Sequence, residues 1–429
     1  MSNKSFYGYR IVTASSGIQL LFLGGVFTYG VLFRHLEAEF GWLPGNPHPL
    51  PVAALISGAG SLMFFFMGTL SALMGFLSDR LGPRMVMTFT TTLFGIGFFL
   101  ISTITTPWQL YLYYGLLCGI GMSAHDVVLL STVARWFTTY RGLMAGIVKT
   151  GAGIGQVLVP VAAAYLIAIY NWRDAVLMIG IVLLIGMLLM SQLLRRDPRA
   201  YGQLPLGEEQ TAGDSTLSIE TGATVRQAIG HYQFWLLCFA KLADFYCVTT
   251  IMVHIVRYGQ IEGLSPAVAA LLIACVGGFS IIGRLAFGVL FDRIGTRFSL
   301  NICFSLLLFS FILLQQIERP EFLFVFTFFY GIPHGGFFVI ASPSVAEYFG
   351  TRSHGSILGL VFFIGTLGAV SGPLMTGWTF DVTQNYDMSI MILIALGLLG
   401  LCLTLFLRPI KPNWETLQPQ SITAPSVDT

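Results

Sequence analysis

Charge is what this chain has least of. Lys and Arg number 22 and Asp and Glu 20 in 429 residues, 10% charged, where soluble globular proteins carry roughly 25%. That scarcity excludes a water-soluble fold of this size. The formal net charge of +2 gives no whole-chain field to attract nucleic acid. The six cysteines (Cys118, Cys238, Cys247, Cys275, Cys303, Cys402) show no CxxC spacing and lie in apolar runs without an adjacent histidine, so they suggest neither a metal site nor a disulfide frame. Also missing are HExxH, a Walker loop and GxSxG, which argues against a membrane enzyme or an ATP-driven pump and implies no cofactor.

What the chain has is apolar surface. Hydrophobic residues make up 55%, Phe alone counts 36, and mean hydropathy is +0.78. An all-α polytopic membrane protein follows. A helix needs about 20 apolar residues to cross roughly 30 Å of hydrocarbon. Twelve such segments can be drawn, near 11–33, 52–76, 85–104, 108–134, 143–169, 174–194, 233–256, 266–290, 298–317, 321–347, 355–379 and 387–407. The first is too long for a signal-peptide core and lacks a small-residue cleavage pattern, so it is expected to remain.

With both termini in the cytoplasm, Lys and Arg divide into 15 inside, 4 outside and 3 within spans. The positive-inside rule selects that orientation in the cell (inner or plasma) membrane. Residues 195–230 hold 9 charged residues in 36, the density of a cytoplasmic linker. The expected organisation is a six-helix bundle over 1–194, the linker, a second bundle over 231–408 and a cytoplasmic tail over 409–429. A Pro-rich stretch, 43–51, is expected to form an external loop.

The halves repeat. Gly75-Phe-Leu77-Ser-Asp79-Arg80-Leu-Gly82-Pro-Arg84 matches Gly288-Val-Leu290-Phe-Asp292-Arg293-Ile-Gly295-Thr-Arg297 at an offset of 213, and the same offset aligns Arg141-Gly142 and Gly146 with His354-Gly355 and Gly359. Two matches in one register make chance a poor explanation. Twelve spans in two parallel halves joined by this loop resemble the major facilitator superfamily, whose signature is G-x-L-x-D-R-x-G-x-R. The resemblance implies a fold of two pseudo-symmetric six-helix bundles. It also implies that Asp79, Arg80, Asp292 and Arg293 switch the conformation, with the arginines near anionic lipid.

Further motifs narrow the resemblance. Tyr29-Gly30-Val31-Leu32-Phe33, Glu39-Phe40-Gly41-Trp42, Ala134-Arg135-Trp136-Phe137 and Gly283-Arg284 are similar to the monocarboxylate-porter branch, including bacterial oxalate/formate-type relatives. Animal members place an aspartate one turn before the span-eight arginine, where this chain has Ser280. The proton role of that aspartate therefore cannot be transferred.

Ionisable residues inside spans are costly and so become candidates for function. Arg284 in span eight and Lys149 in span five lie about two turns from the cytoplasmic ends of their helices. In the family arrangement these spans face one another, and the two cations are expected to form an anion site. His334 in span ten and Asp126 in span four are expected to line the cavity, although the adjacent His125 and Asp126 should point about 100° apart on a regular helix and serve different faces. Tyr29, Phe245, Tyr246 and Tyr330 are candidate apolar contacts. Lys241 and Asp244, three residues apart, are expected to neutralise each other, and His254 near the outer end of span seven is favoured over Asp244 as proton acceptor.

The resulting expectation is a monomeric secondary transporter of small carboxylates such as lactate or pyruvate, moving substrate and proton together by alternating access with lipid around it. Carboxylate exchange is the alternative, since two cavity cations would suit a dianion. A membrane sensor is less favoured, because linker and tail are short for a signalling domain.

Overall fold

A computed structural model describes residues 6–41, 52–208, 222–317 and 319–410. The Pro-rich stretch, the middle of the linker and the tail beyond residue 410 lie outside the described residues.

Eleven helices are long and apolar enough to cross a membrane among the described residues. They are Gly8–Phe40, Leu55–Leu81, Pro83–Thr103, Pro107–Trp136, Arg141–Ile169, Trp172–Ser191, Tyr232–Ile261, Pro266–Gln315, Pro320–Phe349, His354–Thr383 and Asp387–Leu405. The eighth, of 50 residues, would extend about 75 Å if straight, more than twice a hydrocarbon core. It is broken at Gly295, whose φ of 73° is non-helical, so it supplies spans eight and nine. Gly82, between spans two and three, has φ 86° and is its partner at the offset of 213. Left-handed backbone of this kind costs a residue with a Cβ much more than glycine, and the repeat keeps glycine at both turns.

Proline sets several starts. Pro83, Pro107 and Pro266 occupy first-turn positions, where their missing N–H is not needed. The Ser265 hydroxyl accepts from Val268 N at 3.4 Å and caps span eight. Span four departs from a regular helix. It contains a π-helical stretch, Tyr111–Cys118, then a short helix, Gly119–Met122, and a turn over 123–126 before helix resumes at Val127–Trp136.

The halves meet on the side that carries the linker through glycine-to-glycine contacts. A Cβ on Gly75 would stand 2.0 Å from Gly355 O, and one on Gly142 would stand 2.3 Å from Gly288 O. Spans two and eleven, and spans five and eight, thus touch backbone to backbone. These pairs are related by the repeat.

The linker is docked at both described ends. Leu206 bridges to Phe137, with its N–H donating to Trp136 O at 2.9 Å, and Gly222 bridges to Gly350, with Ala223 N donating to Phe349 O at 2.8 Å. Phe137 and Gly350 are again repeat-equivalent. Trp136 Nε1 donates to Arg195 O at 2.9 Å, and Tyr201 stacks on Tyr7 with ring centroids 5.1 Å apart. Of the cysteines, Cys118, Cys238, Cys247 and Cys303 are buried, and all six are free.

Candidate functional site

Three cations converge on one aromatic ring near the middle of the bundle. The Phe338 centroid lies 5.0 Å from Lys149 Nζ, 5.4 Å from Lys241 Nζ and 5.9 Å from Arg284 Cζ, all within cation–π range. Phe338 is half-buried, whereas the three cations are buried. His334, one turn before it, packs its ring 5.2 Å from Phe338 and 5.7 Å from Tyr330.

Each lysine is matched by a carboxylate. Lys149 Nζ donates to Asp126 Oδ1 at 2.5 Å, and Gln19 Nε2 donates to the same oxygen at 2.8 Å. Lys241 Nζ donates to Asp244 Oδ2 at 2.7 Å and to Phe337 O at 3.3 Å, with Phe245, Phe338 and Phe362 around the ammonium. The Lys241 and Asp244 pairing agrees with their spacing.

Arg284 is different. At 2% exposure it has no carboxylate within ion-pair distance among the described residues. Nη1 donates to Lys149 O at 2.8 Å, and Nε has no hydrogen-bond partner among the described residues. The bond crosses from the second half to the first. Glycine makes room for it, since a Cβ on Gly153 would lie 2.4 Å from Nη1 and one on Gly283 would lie 2.1 Å from Ile332 O. Three cations against two carboxylates leave one positive charge, concentrated on a planar fork that matches a carboxylate. His334 Nδ1 and Ser280 Oγ, on the neighbouring turns of spans ten and eight, are buried without partners among the described residues. Unsatisfied buried polar atoms cost about 1–3 kcal/mol each, so their gathering around Arg284 suits a polar ligand.

The geometry qualifies three expectations. Asp126, expected to line the cavity, is buried there against a cation. It is the counter-ion of Lys149, as a carboxylate must be if it is buried beside an ammonium and away from a competing anion. Lys149 and Arg284 do share one place, but the ammonium is already paired, so they do not present two free charges. Nor are His125 and Asp126 held on different faces, because the turn at 123–126 replaces the regular helix and brings His125 Nε2 to 3.5 Å from Asp126 Oδ2.

His254 is half-buried between Tyr386 Oη, 3.2 Å from Nδ1, and Pro373 O, 3.1 Å from Nε2. It does not join the central cluster. Asp244 is 1% exposed, its Oδ1 lacks a partner among the described residues, and it borders a cavity of about 30 Å³, room for about one water.

The signature loops form a second constellation. Asp79 accepts from Gly355 N at 3.2 Å, Ser356 N at 2.7 Å, Ser356 Oγ at 2.7 Å and Arg135 Nη2 at 2.7 Å. Asp292 accepts from Gly142 N at 2.7 Å and Leu143 N at 2.9 Å. Each carboxylate caps the start of a helix in the opposite half, where free N–H groups and the helix dipole favour negative charge. Arg80 and Arg293 are exposed, Arg80 lying over the Phe76 ring at 4.3 Å.

Gln19, Phe338 and Ser356 did not emerge from sequence. Gln19 had a signal, an amide in an apolar run, while one phenylalanine among 36 and one serine at a helix start had none. Arg135 was visible only as part of a motif.

Two bundles joined by crossed helix caps, with a buried charge cluster between them, define a polytopic transporter architecture. A model of the Major Facilitator Superfamily matches residues 16–317 and 234–428, and the chain belongs to that superfamily, as a multi-pass membrane transporter and not an enzyme. Monocarboxylate transporter 13 of Bos taurus is 26% identical over 432 residues, covering 99% of this chain and 95% of that protein. Monocarboxylate transporter 12 of Mus musculus is 26% identical over 345 residues, covering 75% and 71%. These relatives place the chain in the monocarboxylate-transporter-like branch. The solved structure of the proton:xylose symporter XylE bound to 6-bromo-6-deoxy-D-glucose matches with a TM-score of 0.72 at 17% identity, over 92% of this chain and 94% of that one. This last likeness concerns the fold alone.

Proposed function

We propose that this chain is a secondary transporter of small monocarboxylates, coupled to protons and working by alternating access as a monomer in the cell membrane, with both termini cytoplasmic. The observation that carries the reading is Arg284, buried, bonded across the two halves, and the one cluster cation without a carboxylate partner among the described residues. A single excess charge suits a monoanion better than a dianion, because Lys149 is neutralised by Asp126. The names of the relatives support the same substrate class. Phe338 and Tyr330 give the apolar part of a small acid an aromatic wall.

On this reading the linker side is cytoplasmic. Asp79 and Asp292 hold it closed, and inward opening requires both caps to part while Arg284 exchanges its bond to Lys149 O for another geometry. The exposed Arg80 and Arg293 sit where anionic headgroups would meet them.

Uptake of labelled lactate, pyruvate, formate and oxalate into proteoliposomes, with and without a pH gradient, tests the assignment. Arg284→Lys keeps charge but removes the fork, and is expected to weaken monocarboxylate affinity by about 1–3 kcal/mol. Unchanged affinity at wild-type expression would reject Arg284 as the anchor.

A further inference from the structure

Resting on the proton-coupled reading above, we infer that the coupling proton is carried by the His125–Asp126 dyad at the break in span four, and not by His254 or Asp244.

The reason lies in which ring nitrogen is free. His125 Nδ1 lies 2.7 Å from Met122 O. A carbonyl only accepts, so Nδ1 bears the hydrogen. In a neutral ring Nε2 then offers a bare lone pair, and it faces Asp126 Oδ2 at 3.5 Å. Two acceptors stand face to face. A hydronium ion from the external water that gives its proton to the Nε2 lone pair, its O–H bond breaking as the N–H bond forms and water leaving, turns this opposition into a charge-assisted hydrogen bond, with Asp126 remaining a carboxylate. Release to the cytoplasmic side reverses the step. His125 is 7% exposed and Asp126 6%, so the contact is sheltered from bulk water.

Every element packed around the dyad bears on this step. Span one supplies the uncharged Gln19, donating to Asp126 Oδ1 and to His125 O at 3.1 Å, and Phe22, whose ring lies 6.0 Å from His125. Span five supplies Lys149, on Asp126 Oδ1. Span eight supplies Arg284 through the Lys149 carbonyl, while Lys241 and His334 stand beyond, around Phe338. Asp126 thus has one oxygen committed to Lys149 and Gln19 and one left for His125.

That arrangement couples proton to anion. When His125 is protonated, one carboxylate serves two cations, the Lys149 ammonium is less fully neutralised, and the positive charge next to Arg284 rises. An anion binds more readily, and by reciprocity a bound anion favours the proton.

The alternatives lack this opening. His254 is satisfied in one neutral form, Nε2 donating to Pro373 O and Nδ1 accepting from Tyr386 Oη. Asp244 has one oxygen held by Lys241 on its own helix, and its Oδ1, without a partner among the described residues, borders a cavity of about one water whose lining holds no histidine.

The test uses full-length protein in proteoliposomes with labelled L-lactate as probe, scoring pH-gradient-driven accumulation beside gradient-independent counterflow. In His125→Gln the accumulation ratio is expected to fall to unity while counterflow persists, and His254→Gln should accumulate as wild type does. Retained accumulation in His125→Gln, or its loss in His254→Gln, overturns the proposal. Wild-type lactate counterflow without any pH-gradient response also overturns it, but leaves the carboxylate reading standing. Transport of no carboxylate in the panel removes both. Should the variants fail to fold, 15N imidazole spectra of the wild type, assigned by replacing the other histidines of the seven, are expected to show His125 Nε2 gaining a proton as pH falls, and more readily with lactate. An Nε2 signal indifferent to both rejects the assignment.

Discussion

Asp79 and Asp292 stand 213 residues apart, and each accepts hydrogen bonds from two successive backbone N–H groups of a helix in the opposite half: Gly355 and Ser356 in one case, Gly142 and Leu143 in the other. The glycine contacts beside them are paired in the same way. Beyond the backbone the equivalence stops. Asp79 also holds Ser356 Oγ and the buried Arg135 guanidinium, while Asp292 is exposed. The repeat thus gives both caps the same backbone geometry. The side chains that differ between the halves set how firmly each cap holds, and the Asp79 contact is expected to be the stronger.

The largest expected effect follows from Asp79→Asn. It leaves Arg135, 8% exposed, without its carboxylate, and breaking one partner of such a pair should weaken the closed state by about 3 kcal/mol. Spin labels at the exposed, repeat-related Met85 and Phe298, in a background without the native cysteines, would report the separation on the linker side. The distance distribution should move to longer values, and turnover should slow with near-normal equilibrium binding of L-lactate. An unmoved distribution breaks the comparison.

Next comes Gly75→Ala. Its Cβ would meet Gly355 backbone at 2.0 Å, and overpacking of this kind costs about 2 kcal/mol. Gly288→Ala, at 2.6 Å from Gly142 O, should shift the same distances less. Equal shifts would show that the two contacts do not differ in tolerance.

Arg135→Gln sharpens the comparison by making Asp79 resemble Asp292. A loss of about 1.5 kcal/mol is expected from one charged hydrogen-bond partner, and adding Asp79→Asn should then cost about what Asp292→Asn does alone, apart from the remaining bond to Ser356 Oγ. A double-mutant cycle with the same labels measures this. Asp292→Asn should have the smallest effect, about 0.5–1 kcal/mol, because an amide oxygen still caps the helix and the site is exposed. If it opens the linker side further than Asp79→Asn, the ranking is reversed.

Sequence was informative wherever the signal runs along the chain. Hydropathy located all eleven membrane-length helices among the described residues, the eighth of which divides at Gly295 into two of the twelve expected spans, and the repeat aligned Gly82 with Gly295, both of which have positive φ. Intramembrane ionisable residues stood out because so little charge is present, which is how Arg284, Lys149, Lys241, Asp126 and Asp244 were found. Spacing sufficed for Lys241 and Asp244 because a helix brings residues three apart onto one face.

Pairings between helices were beyond it. Nothing along the chain assigns Asp126 to Lys149, Asp79 to Arg135, or the Arg284 guanidinium to a carbonyl in the other half. These depend on how each helix is rotated and how closely the glycine pairs let backbones approach. Periodicity even misdirected the reading of His125 and Asp126, since it assumes a regular helix and span four turns there. Composition and repeat, being properties of the chain in order, determined a duplicated bundle of membrane helices with a few buried charges. Which of those charges remains free for a ligand, and where a bare nitrogen meets a carboxylate, was decided only by tertiary packing, because charge balance is settled between neighbours in space.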